Sequence, residues 1–163
     1  MADEFATQPL TRPLKYGIYR WWPEEGEDWI HPYDIGIVRK MIPGLRVFRR
    51  EYFDNRWELV TYGDITFRVR PTIWLPVTHE GFDVGEYVEI KSRMGQAQPF
   101  MGRIKEMVWS QRYACIEYYL YRSDKIQPKA YRAADLNSAK AIKSFKLSDS
   151  ESGPATGGGL PPV

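Results

Sequence analysis

The chain has 163 residues, with 23 Lys/Arg against 21 Asp/Glu, a net charge of +2 and a pI of about 8.6. That length holds one compact domain or two very small ones, and the near-neutral charge falls short of the basic footprint of a dedicated nucleic-acid domain. A hydrophobic content of 43% excludes a wholly disordered chain, and the single cysteine, Cys115, excludes an intramolecular disulfide and suits a reducing compartment.

Aromatic residues make up 15% of the chain, including six Trp and eleven Tyr. Such rings bury large areas in small folds and also populate interface centres, so composition leaves both roles open. Residues 1–33 carry three basic against six acidic side chains, 34–78 eight against five, and 79–137 nine against eight. The basic excess sits in the middle segment. No apolar run reaches transmembrane length and no signal-peptide core stands near residue 1. The expectation is a cytoplasmic protein without membrane insertion.

Residues 1–13 are polar with two prolines and read as a flexible N-terminus; residues 14–78 read as a β-rich segment. KYGIYRWW (15–22) alternates as a strand, with Tyr16, Ile18 and Arg20 on one face and Gly17, Tyr19 and Trp21 on the other. An acidic turn follows at 23–28. Asp34 opens a short helix over 35–41, where Ile35, Val38 and Ile42 recur at helical spacing, and Pro43-Gly44 stops it. Residues 45–53 and 57–62 make a hairpin around Asp54-Asn55. After the Gly63-Asp64 turn, Ile65, Phe67 and Val69 alternate with Thr66, Arg68 and Arg70, and Pro71 and Pro76 mark 65–77 as an edge or broken strand. The pentapeptides PYDIG (32–36) and GFDVG (81–85) echo one another, but the sequences after them do not align, so no repeat is inferred.

Residues 79–137 hold the clearest strand set. GFDVGEYVEI (81–90) is a turn and a strand with Val88 and Ile90 opposite Tyr87, Glu89 and Lys91. Regular alternation over 99–110 puts Gly102, Ile104, Glu106 and Val108 on one face and Met101, Arg103, Lys105, Met107 and Trp109 on the other. Residues 114–122 set Ile116, Tyr118 and Leu120 against Cys115, Glu117, Tyr119 and Tyr121, and 128–136 adds a short strand and a helical turn.

The GFDVGEYVEI opening, Gly102 inside FMGRIKEMVW, and the YACIEYYLYR strand resemble the SH3-like barrel group that includes Tudor, chromo-type and KOW domains. The resemblance implies a small closed barrel that binds a partner and does no chemistry itself. RVFRRE, YGDITFRVRP and WLPV, within residues 30–137, are similar to small uncharacterised bacterial proteins of the planctomycete type, which implies no activity. Residues 138–163 read as weakly helical and then a flexible tail. The expected fold class is mainly β: a small SH3-like barrel at 79–137, preceded by a β-rich segment with one short helix. The PVTHEG joint (76–81) is too short for a linker, which allows one continuous unit.

Trp109, Tyr119 and Tyr121, with Tyr87 and Tyr131, are the candidate partner-binding set. Rings facing out of a small barrel expose apolar area unless something covers them; the other reading is that residues 14–78 pack there. Arg46, Arg49, Arg50, Arg68 and Arg70 lie on neighbouring strands as a candidate nucleic-acid set, cations for phosphate beside rings for stacking. They serve equally as a solvated face paired to Glu51, Asp54, Glu58 and Asp64. His31, His79 and Cys115 show no zinc spacing and no nucleophile–base set. Gly157-Gly158-Gly159 has no strand before it or helix after it, as a phosphate-cradling loop requires. The sequence points to a non-catalytic protein-interaction module, an accessory or scaffold subunit with protein partners and no metal or cofactor. RNA bound through the arginine face is the alternative.

Overall fold

The computed structural model describes residues 14–24, 26–71, 74–91 and 99–139. The expected flexible N-terminus and the tail after residue 139 lie outside the described residues. What is described is mainly β: two antiparallel five-stranded sheets and one short α-helix.

The first sheet contains β1 (Lys15–Ile18), β2 (Phe48–Tyr52), β3 (Glu58–Tyr62), β4 (Ile65–Val69) and β5 (Leu75–Pro76), in the order β4-β3-β2-β1-β5. Its hairpins form where the turn chemistry predicts. The Asp54 carboxylate accepts the backbone N–H groups of Arg56 (2.7 Å) and Trp57 (2.8 Å), fixing the β2–β3 turn. Gly63, at φ +60°, supplies the left-handed residue of the β3–β4 turn. Pro76 is tolerated because β5 lies at the sheet edge and pairs with β1 alone.

Cross-strand partners share a face. Gly17 stands opposite Phe48, and Arg50, Val60 and Phe67 line up across β2–β4 on that same side. The helix α1 (Ile35–Met41) and the loop before it cover this side, so that Trp29, Ile30, Val38 and Met41 pack with Phe48, Val60, Phe67 and Val69. Trp74 closes over Gly17, where a Cβ would sit 2.5 Å from the Leu75 carbonyl oxygen; only glycine admits that approach. Asp34 precedes α1 but does not cap it with its side chain. Its carboxylate instead accepts three bonds from Arg68: the backbone N–H and Nε–H at 2.8 Å and Nη2–H at 3.1 Å.

The opposite side of the first sheet carries Tyr16 and Ile18, which pack with Val47 into the core of the second sheet. That sheet contains β6 (Tyr87–Ile90), β7 (Met101–Ser110), β8 (Cys115–Arg122), β9 (Lys125–Tyr131) and β10 (Leu136–Ser138), in the order β10-β6-β7-β8-β9. A 3₁₀ turn at Ala133–Asp135 returns the chain so that β10 pairs beside β6. The sheet is rolled, yet β9 and β10 do not pair, so it is not the closed barrel that the resemblance implied. Two features explain this. β9 carries Pro128 and loses register against β8 between Tyr119 and Tyr121, while β10 is three residues long. The inner residues Val88, Ile104, Met107, Ile116, Tyr118 and Leu120 are covered in part by Tyr16, Ile18 and Val47 from the other sheet.

A bulge in β7 decides which side chains face inward. Ile104 pairs with Leu120 and Glu106 with Tyr119, leaving Lys105 as the extra residue. The alternation expected over 99–110 therefore holds only to Ile104. Beyond the bulge Met107, opposite Tyr118, and Trp109, opposite Ile116, face the core, and Glu106 turns outward. The two sheets are also joined by backbone bonds: Val47 N–H to the Met107 carbonyl (2.9 Å) and Trp109 N–H to the Leu45 carbonyl (2.7 Å).

Candidate functional site

The expected aromatic set divides in two. Trp109 packs against the core and Tyr131 is buried opposite Tyr118, which corrects the expected outward stripe. The bulge turned Trp109 inward, and pairing with an inward residue turned Tyr131. Tyr87, Tyr119 and Tyr121 keep the outer face. There the register sets Tyr87 opposite Arg103, Arg103 opposite Tyr121, and Tyr121 opposite Ile126, one row across β6–β9. Tyr87 is 62% exposed and Ile126 52%. The Arg103 guanidinium lies 5.8 Å from the Tyr87 ring centre and the Lys105 ammonium 4.7 Å from that of Tyr121.

The arginines do not form one free patch. Arg68 is held by Asp34, and Arg49 by Asp83 at 3.4 Å, where the Tyr16 hydroxyl also donates at 2.9 Å. Arg50 is buried, ion-paired with Glu58 and stacked 4.6 Å from the Trp74 ring. Asp34 and Asp83 occupy matching positions in the two echoing pentapeptides, and each receives an arginine of the first sheet. Arg70 lies over Trp57 at 5.4 Å, and Arg46 donates to the Met41 carbonyl at 3.1 Å. Neither is ion-paired with a described residue.

Arg46 lines a cleft of about 430 Å³ where the two sheets meet. Met41, Ile65, Val84 and Ile104 give it an apolar lining, and Arg103, Lys105 and Tyr121 extend it onto the outer row. Arg46, Arg103 and Lys105 face it without a carboxylate partner among the described residues, against Asp64 and Glu106 of opposite sign. Tyr62 holds the wall: its hydroxyl accepts the Met107 N–H at 3.0 Å, and burial pushes that hydroxyl up to about 12. Sequence reasoning placed Arg103 and Lys105 on the face of candidate rings but did not single them out. The signal available was the position of Arg103 opposite Tyr87 and Tyr121, which needs the strand register, and the bulge that sets Lys105 beside Tyr121.

A second hollow, of about 760 Å³, lies between the loop before α1 and the β2–β3 turn, lined by His31, Tyr33, Arg56, Trp57 and Arg70 among others. His79 lies elsewhere, stacked on Tyr16 with ring centres 3.7 Å apart. Cys115 is on β8; burial first, then the Glu80 carboxylate, pushes its thiol up, away from the reactive thiolate. Among the described residues no three His, Cys, Asp or Glu side chains gather to hold a metal ion. No helix among them is long and apolar enough to cross a membrane.

These features define a mainly-β protein whose two sheets share a core and leave a basic cleft at their seam. The chain belongs to a family of unknown function (DUF6960), whose model matches residues 9–137. No curated protein and no solved structure matches it.

Proposed function

We propose that the protein is a non-catalytic interaction module, an accessory subunit that docks an acidic segment of a protein partner across the outer row of the second sheet and into the seam cleft. One observation carries the reading: Arg46, Arg103 and Lys105 converge on an open, apolar-lined cleft with no ion-paired carboxylate among the described residues, beside the exposed Tyr87–Arg103–Tyr121–Ile126 row. By contrast, Arg49, Arg50 and Arg68 of the first sheet are ion-paired within the protein. Tyrosine and arginine side by side are the residue types enriched where partners bind, and cations hydrogen-bonded, among the described residues, only to carbonyls, as Arg46 and Arg103 are, still favour a partner of opposite charge. The rolled sheet, with its last strand returned beside its first, supports an SH3-like reading of residues 79–137.

The test is capture of partners from host lysate, with and without nuclease, by the native protein and by Arg103→Glu/Lys105→Glu. A defined protein set that survives nuclease and is lost from the double variant supports the reading. Partners that vanish with nuclease, or that bind the variant equally well, overturn it. Binding of an Asp/Glu-rich 12-residue peptide, compared with its Asn/Gln counterpart, checks the charge preference directly.

A further inference from the structure

The hollow between the loop before α1 and the β2–β3 turn is separate from the seam cleft, and its chemistry differs. We propose that it binds a nucleotide, a planar base stacked on its rings with the phosphate held by Arg56 and Arg70. Tyr33 is 86% exposed, a large side chain held in water beside the His31 ring. His31 stands 5.4 Å from it and 5.1 Å from Trp57, centre to centre. The hollow's volume of about 760 Å³ lies inside the span of small-molecule sites, roughly 300–1,000 Å³.

The site is built from fixed parts. Trp57 is held by the Asp54 turn. The loop is tied to β4 by the His31 N–H bond to the Arg68 carbonyl (3.0 Å) and the Arg70 N–H bond to the Trp29 carbonyl (2.7 Å). Within the loop, His31 Nδ1 accepts the Tyr33 N–H at 3.3 Å, which orients the imidazole. An imidazole oriented before a ligand arrives loses little freedom when the ligand stacks beside it.

Charge selects the class of ligand. Glu27 is neutralised by Arg39. That leaves Asp28 against Arg56 and Arg70, neither of which has a carboxylate partner among the described residues. The Arg70 guanidinium lies 5.4 Å from the centre of the Trp57 ring, so a cation stands beside the stacking surface. A neutral sugar would use the rings but not the two arginines, and a bare phosphate would use the arginines but not the rings. A nucleotide uses both. The same chemistry is offered by a free mononucleotide and by one unit of a single strand.

The experiment titrates the ¹⁵N-labelled full chain with AMP, UMP, ribose 5-phosphate, A₁₀ and U₁₀ oligoribonucleotides. It follows the Trp57 indole cross-peak, assigned by its loss in Trp57→Phe. Saturable shifts with AMP or UMP as well as the strands assign the free nucleotide; shifts with the strands alone assign a nucleotide unit of single-stranded RNA. In either case Tyr33→Ala and Arg70→Ala should each weaken binding at least ten-fold while leaving the remaining spectrum folded. Tyr33→Ala keeps the test valid if Arg70→Ala perturbs the loop. The proposal is overturned if no base-containing ligand shifts Trp57, if ribose 5-phosphate shifts it equally well, or if Tyr33→Ala binds as tightly as the native chain.

Discussion

Arg50 is the residue most at odds with its surroundings: a guanidinium on the covered side of the first sheet, in line with Val60 and Phe67. It persists because Glu58 pairs with it and Trp74 stacks on it. Burial pushes the neighbouring Tyr19 hydroxyl up to about 12, against the pull of Arg50. Glu58→Gln leaves the arginine charge uncompensated and should destabilise the fold by roughly 2–3 kcal/mol, the lower side of the cost for a fully buried pair because Glu58 keeps some solvent. Arg50→Met/Glu58→Leu should recover most of that loss in urea unfolding, because an apolar pair removes the charge as well as its partner. Asp34 behaves differently. Burial on its own would raise its carboxyl, but the side-chain and backbone bonds from Arg68 outweigh it and hold the group below the usual carboxylate range. Stability from a depressed carboxyl is complete above its unfolded value, about 3.9, and is lost as pH falls through the lower folded value. The native chain should therefore hold its advantage over Asp34→Asn down to about pH 5 and lose it progressively below about pH 4, as pH falls through the depressed folded value, read as converging urea midpoints. An advantage unchanged across that window would show that the Arg68 bonds do not set the shift.

At the scale of elements, the β7 bulge carries the largest consequence. It moves Met107 and Trp109 into the core and places Lys105 beside Tyr121 at the cleft. Met107→Ala should cost about 2–5 kcal/mol, as for other buried large-to-small changes, while Glu106→Ala should stay under about 1 kcal/mol. Chemical denaturation of the two variants separates the bulged strand from a regular one, which predicts the reverse order. Several elements were legible beforehand for local reasons. The helix lies over residues 35–41 because Val38 and Met41 return to one side at helical spacing, and the β2–β3 hairpin forms where Asp54 can satisfy its own turn. Tyr87 and Tyr121 face outward as simple alternation requires. Trp109 was misplaced because a one-residue slip reverses every side chain after it, and nothing local to FMGRIKEMVW marks where the slip occurs; Tyr131 is buried because it pairs with the inward Tyr118.

At the scale of the whole molecule, the described parts of the two sheets pack against one another. Tyr16, Ile18 and Val47 fill the inner side of the second sheet, and Tyr62 from the first sheet satisfies the Met107 backbone. The full chain should unfold in one cooperative transition. A fragment of residues 79–139 should fail to show a cooperative melt or a dispersed amide spectrum, because its inner face would lie open to water. A fragment that folds independently would show that the second sheet needs no help from residues 14–78. The same joint creates the cleft: Arg46 arrives on the segment that leads into β2 and bridges to Val108, and Arg103 and Lys105 arrive from the second sheet. No segment taken alone contains the site.

The sequence by itself determined the β-rich class, the helix over residues 35–41, the turns and the outward faces of β6 and β8, because each depends on residues a few positions apart. The tertiary structure alone decided which arginines are free. Arg68 and Arg49 are held by carboxylates 34 positions away, Asp34 and Asp83, and a charge becomes available to a ligand only when no such partner reaches it. The tertiary structure also left the second sheet open instead of closing it into a barrel, since residues of the first sheet cover its inner side. Local propensity records what each segment prefers; burial and pairing across long separations record which preferences can be met together.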